Sequence, residues 1–149
     1  MAYSEKQLTT EWMPQVRWPN GNNVNLVTVR EAIQEQADEN GIPVAFSEDQ
    51  LKVGGLFSSE REDILIMYNP QHQSDYLHFA IRVQHQGKYA FMHVYNLGGS
   101  KNFRDDNVAA GGSTFRKLAN AIGGHNQKLQ AEKNYYTILR DCLQNVTGA

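Results

Sequence analysis

Two alternating apolar runs, separated by a short glycine-bearing stretch, constrain this chain more than any other feature. Residues 76–84 read Tyr-Leu-His-Phe-Ala-Ile-Arg-Val-Gln, residues 89–95 read Tyr-Ala-Phe-Met-His-Val-Tyr, and His85-Gln86-Gly87-Lys88 lies between them. Apolar residues at every second position are the period of a strand with one buried face, and the glycine supplies a tight turn, so the pair predicts a β-hairpin. A loop drawn from residues 85–88 places Gln84 opposite Tyr89, Val83 opposite Ala90, Ile81 opposite Met92 and Phe79 opposite Val94. That register gives one coherent apolar face. The other face collects Tyr76, His78, Arg82, Tyr89, Phe91, His93 and Tyr95.

The segments before the hairpin extend it into a meander. Asp63-Ile64-Leu65-Ile66-Met67-Tyr68 is apolar on both strand faces, which predicts an interior position in the sheet. Asn69-Pro70 ends that strand and a polar loop follows over residues 71–75. Upstream, residues 51–57 read as a strand interrupted by Gly54-Gly55, and Ser47-Glu48-Asp49 reads as a turn. Val44-Ala45-Phe46 is either a short strand or the lead-in to that turn.

Helices are expected on both sides of the meander. Ser4 and Gln7 match a capping box, and Leu8, Trp12 and Val16 recur at helical spacing until Pro14 interrupts, predicting a helix over residues 5–13. Trp12 and Trp18 in an otherwise polar segment mark residues 1–23 as an arm, docked on the body or reserved for a partner. Thr28 to Glu31 is a second capping box, with Val27 set to staple onto Ala32. That helix carries Val29, Ala32, Ile33 and Ala37 and should stop at Asn40-Gly41, before Pro43. Near the C-terminus, Ser113 or Thr114 caps a short helix ended by Gly123-Gly124. A longer helix then runs from His125 to about Val146, its stripe formed by Leu129, Tyr135, Tyr136, Leu139, Cys142, Leu143 and Val146. The predicted fold class is α+β: an antiparallel β-meander of three to five strands, with helices before and after it packed on the sheet, in one domain spanning residues 1–149.

Bulk properties narrow the setting. A chain of 149 residues builds a core without metal or disulfide staples, and its single cysteine, Cys142, has no internal partner. No apolar run approaches the ~20 residues of a membrane span, and the polar N-terminus lacks a signal-peptide plan. The expected location is the cytoplasm. Charge is unevenly divided: residues 1–81 hold five basic and twelve acidic side chains, a sum of −7, while residues 82–149 hold nine and four, a sum of +5. The two halves either neutralise one another in the fold or leave a basic surface on the second.

Chemistry-bearing patterns are few. Aromatic rings beside an arginine on a sheet stack planar groups or form a protein interface, and if helices cover them they are a second core layer. The glycine-rich segment at residues 98–112, running into the helix at Ser113, offers backbone N–H groups to an anion, with Lys101, Arg104, Ser113, Thr114 and Arg116 nearby. It lacks the P-loop spacing. His78 and His93 fall diagonally across the hairpin but find no third metal ligand, and no CxxC or HExxH spacing exists. Asp63, Asp75, Asp105 and Asp106 do not form a paired-carboxylate site, and Cys142 sits on an apolar helical stripe. The reading is a small non-enzymatic cytoplasmic binding or accessory domain, without cofactor or metal, whose aromatic sheet face meets another protein or a second copy of itself. The alternative is a phosphate-, nucleotide- or single-stranded nucleic-acid-binding protein using residues 98–112 and the nearby Arg and Lys side chains. Nucleic acid is disfavoured by the acidic net charge.

Overall fold

The structure is a computed structural model that describes residues 2–8, 10–54, 59–71, 78–97 and 124–147. Its strands are β1 (Ala2–Ser4), β2 (Val16–Trp18), β3 (Ala45–Lys52), β4 (Arg61–Tyr68), β5 (His78–Gln86) and β6 (Tyr89–Asn96), and its α-helices are α1 (Leu26–Glu39) and α2 (Gly124–Gln144). The strands form a mixed sheet in the order β1-β3-β4-β5-β6-β2. β3 to β6 are the antiparallel meander; β1 adds in parallel to β3, and β2 adds antiparallel to β6. The architecture is α+β, with more strands than the sequence predicts and one parallel pairing.

The two strands that the sequence does not announce, β1 and β2, flank the segment read as a helix over residues 5–13. Only Glu5–Gln7 forms a single 3₁₀ turn, in which the Ser4 N–H donates to Gln7 Oε1 at 2.8 Å. The i, i+4 spacing of Leu8, Trp12 and Val16 does not lie on one face. Leu8 packs with Leu51, Ile64, Ile66 and Ala80 on one side of the sheet, while Trp12 and Val16 join the core on the other. The segment is therefore a strap across the second face: the Gly54 N–H donates to Glu5 at 3.4 Å, Asn96 N–H donates to Thr10 O at 3.0 Å, and Trp12 N–H donates to Val94 O at 2.8 Å. Pairing with sheet edges outweighs local helical spacing here.

The hairpin forms with a shifted register. Gly87, at φ +59°, and Lys88 make the turn, so Gln86 faces Tyr89, Val83 faces Met92 and Ile81 faces Val94. The shift from the predicted register is two residues, which keeps every side chain on its predicted face. β4 is interior as expected, with Ile64 to Met67 all buried. β3 is one continuous strand through Ser47-Glu48-Asp49, the residues read as a turn. Near the sheet edge their polar side chains keep contact with water, so the strand needs no apolar alternation there.

Both helices cover one face. Val29, Ile33 and Ala37 of α1, with Tyr136, Leu139 and Leu143 of α2, enclose Leu65, Met67, Phe79, Ile81, Met92 and Val94. α1 begins earlier than predicted: Asn25 is its N-cap, exchanging hydrogen bonds with Thr28 at 2.9 and 3.0 Å. Val27 consequently points outward, 62 % exposed, and does not staple onto Ala32. The helix ends as expected: Gly41 at φ +69° and the bonds Ile42 N–H to Ala37 O and Gly41 N–H to Asp38 O form a Schellman motif. Residues 16–52 thus trace strand, helix, strand, with β2 and β3 parallel although β4 to β6 lie between them. α2 is locked to the loop after α1 by Tyr135 Oη donating to Pro43 O at 2.6 Å. The predicted helix after Ser113 and the Leu129 side chain lie outside the described residues.

Candidate functional site

The sheet face away from α1 and α2 carries His78, Arg82, Tyr89, Phe91, His93 and Tyr95 together, as the strand parity requires. Tyr76 lies outside the described residues, as do Lys101, Arg104, Ser113, Thr114 and Arg116 of the alternative anion site. Along β6 the rings form a ladder: Tyr89 stacks with Phe91 and His93 with Tyr95, each at 6.1 Å between centroids.

The ladder divides into an inner and an outer half. The inner half is engaged within the molecule. Arg82 Nε donates to Glu62 Oε2 at 2.5 Å and Nη2 to Oε1 at 3.4 Å, and His93 Nδ1 lies 3.0 Å from Glu11 Oε1 on the strap. Burial opposes the charge on Arg82, yet the hydrogen bond and charge of Glu62 hold its guanidinium above the ordinary value. Burial likewise pushes the Tyr95 phenol up, and the neighbouring Arg82 pulls part of that shift back. Tyr95 and Tyr68 also pack on the small second-face core around Ile64, Ile66 and Ala80. The aromatic face is thus partly the second core layer.

The outer half, toward the hairpin turn, is Tyr89 and Phe91, with Gln84 and Arg17 opposite Phe91 from β5 and β2. Tyr89 is 43 % exposed, among the most exposed large apolar side chains of the described residues. Its ring stacks on Phe91 and it faces Gln86 across the hairpin, a part-exposed aromatic of the kind found as a contact residue at protein interfaces.

The register removes the pairing of His78 with His93. His78 lies beside Leu97, whereas His93 faces Arg82, four positions along the ladder and about 13 Å away at the strand rise. His78 instead tilts against Tyr68 at 5.2 Å. Among the described residues no group of three His, Cys, Asp or Glu side chains converges to hold a metal ion. Cys142 is buried, its Sγ 3.5 Å from Asn40 Nδ2 and 3.7 Å from Gln36 O, and burial pushes its thiol up, away from the nucleophilic form.

One feature lies beyond the sequence reading. A groove of about 830 Å³ runs between α1 and the first-face side of β3 and β4. Six carboxylates, from Glu31, Glu35, Asp38, Glu39, Glu48 and Asp63, line it with Arg30 around Leu26 and Leu65, while the Asp49 side chain lies on the other face by strand parity. Its walls come from segments joined only by the crossover, so no linear motif reveals it. The negative sum of residues 1–81 was the trace of it in the chain. Comparison with known proteins found no matching family model, no matching curated protein and no matching solved structure.

Proposed function

We propose that this chain is a non-enzymatic, cytoplasmic protein-binding domain that contacts its partner, or a second copy of itself, through the outer half of the β6 ladder. The observation that carries this reading is the stacked Tyr89–Phe91 pair at the distal end of the hairpin, with Tyr89 exposed, Phe91 half-buried, and Arg17 and Gln84 beside Phe91. Aromatic and arginine side chains are the residue types that dominate binding energy at protein interfaces. The inner half supports the outer: the Glu62–Arg82 pair and the strap tie the strands together while Tyr89 stays exposed and Phe91 half-exposed beside it.

Photo-crosslinking tests this. A benzophenone amino acid placed at Tyr89 should capture a protein in cells, and one placed at the exposed Ile138 on α2 should not. The added alanine pair Tyr89→Ala and Phe91→Ala should abolish retention of the captured partner while leaving the unfolding midpoint nearly unchanged. A product at position 89 that nuclease digests would replace the protein reading with nucleic-acid stacking. Loss of folding in the alanine pair would make the ladder core throughout.

A further inference from the structure

We propose that the groove between α1 and β3 takes an extended, cationic segment of a partner protein, which adds as a strand beside residues 45–48. The first support is the sheet edge. β1 pairs with β3 only from Gln50 to Lys52, so among the described residues no strand lies beside residues 45–48. An uncovered strand edge offers a row of backbone donors and acceptors, and main-chain pairing with such an edge is a general mode of peptide capture.

The second support is the groove alongside that edge. A strand added next to β3 directs alternate side chains to the first face, where the groove lies, and those side chains repeat about every 6.8 Å. The helical wall presents Glu31, Glu35 and Asp38, which follow one another at helical-face spacing over roughly 10 Å. Glu48 and Asp63 face them from the strands. With six first-face carboxylates against Arg30, the lining has a formal charge of −5. Arg30 itself lies over the Phe46 ring at 5.5 Å, where it bounds the start of β3.

The distribution of this charge selects the ligand. No three carboxylates converge on a point, so the lining is not a metal cage among the described residues. It is an acidic strip beside a backbone edge, and Leu26, Leu65 and the exposed Val27 supply apolar area for aliphatic stems. Lysine or arginine at alternate positions of an extended segment satisfies all three: main chain to the β3 edge, stems to the apolar floor, charges to the walls. This surface is separate from the Tyr89–Phe91 ladder, so the two readings stand or fall independently.

A labelled heptapeptide of alternating lysine and valine, titrated into the full chain and followed by amide chemical shifts and fluorescence anisotropy, tests the inference. The expected result is shifts at residues 45–48 and in α1, and affinity that falls steeply with salt. The charge-reversed pair Glu35→Lys and Glu48→Lys, both exposed, should weaken binding at least tenfold. Should that variant fold poorly, Glu31→Gln with Asp63→Asn carries the same test with a smaller loss. A peptide N-methylated at alternate residues should bind at least tenfold more weakly. Equal binding of the methylated peptide would overturn strand addition. Shifts confined to Tyr89 and Phe91, no binding at low salt, or a concentration-dependent dimer that occupies residues 45–48 without peptide would each overturn the proposed occupant.

Discussion

Arg82 Nε and Glu62 Oε2 meet at 2.5 Å across β5 and β4, on the sheet face opposite the helices, with side-chain exposures of 15 % and 32 %. A guanidinium this covered depends on its carboxylate. Glu62→Ala should therefore destabilise the fold by about 2 kcal/mol, because it leaves the cation partly buried and unpaired. Arg82→Met, which removes the charge but keeps the stem, should cost less. Urea unfolding of the two variants checks the order.

Trp12 joins the strap to the core. Its ring centre lies 4.2 Å from that of Phe79 and 6.3 Å from that of Tyr136, and Arg140 covers it at 4.8 Å. Trp12→Ala should cost about 3 kcal/mol through the cavity it leaves. Val27→Ser, at a side chain that stands in water, should stay within about 0.5 kcal/mol. Equal costs at the two positions would mean that the strap does not dock as described.

Gly21 approaches the backbone of β6. Its N–H donates to Lys88 O at 2.7 Å, and an added Cβ would lie 2.6 Å from the Ala90 nitrogen. Gly21→Ala should cost about 2 kcal/mol by forcing that contact apart. At Gly41 there is open space but φ is +69°, so Gly41→Ala should cost about 1 kcal/mol from backbone strain alone. Thermal unfolding separates the two.

The tyrosines set an alkaline limit. Burial, with Glu132 adding to it, pushes the Tyr135 phenol well above its ordinary value near 10, and burial raises Tyr3 and Tyr95 in the same direction. Below about pH 9 both folded and unfolded chains hold these protons and stability does not depend on them. Above about pH 10 the unfolded chain releases them first, so stability falls as pH rises. Tyr135→Phe should lose about 1 kcal/mol at neutral pH with its bond to Pro43 and show a shallower alkaline decline. An unchanged slope in urea midpoint against pH would count against the burial of Tyr135.

Cys142 should behave as a core residue. A thiol-exchange reagent should modify it about a hundredfold more slowly in the native chain than in denaturant, since its thiol is both enclosed and raised. Rapid native modification would contradict the packing of α2.

Parity is what made the sheet legible from residues alone. Leu65, Met67, Phe79, Ile81, Met92 and Val94 announce one face, and a turn misplaced by two residues leaves them on it. The same slip was enough to bring His78 and His93 falsely together, because contacts along a ladder depend on register while faces do not. The strap was illegible for another reason. Leu8, Trp12 and Val16 are spaced for a helix, and only the partners at Ile64, Phe79 and Met92, distant in sequence, decide otherwise. Glu48 and Asp49 were hidden similarly, since acidic residues read as a turn until a sheet edge gives them water. Of the candidate site, the aromatic face was visible; its division by the strap, and the acidic groove, required the assembled chain.

The two outermost strands, β1 and β2, belong to one short segment that crosses between them. Both outermost strands of the sheet are therefore supplied by a single stretch of chain, whose partners in β3 and β6 lie later in the sequence. A cut or deletion within the first 18 residues would uncover two adhesive strand borders at once. Such a variant should associate before it unfolds, which ties its association to β1 and β2, far in sequence from α2.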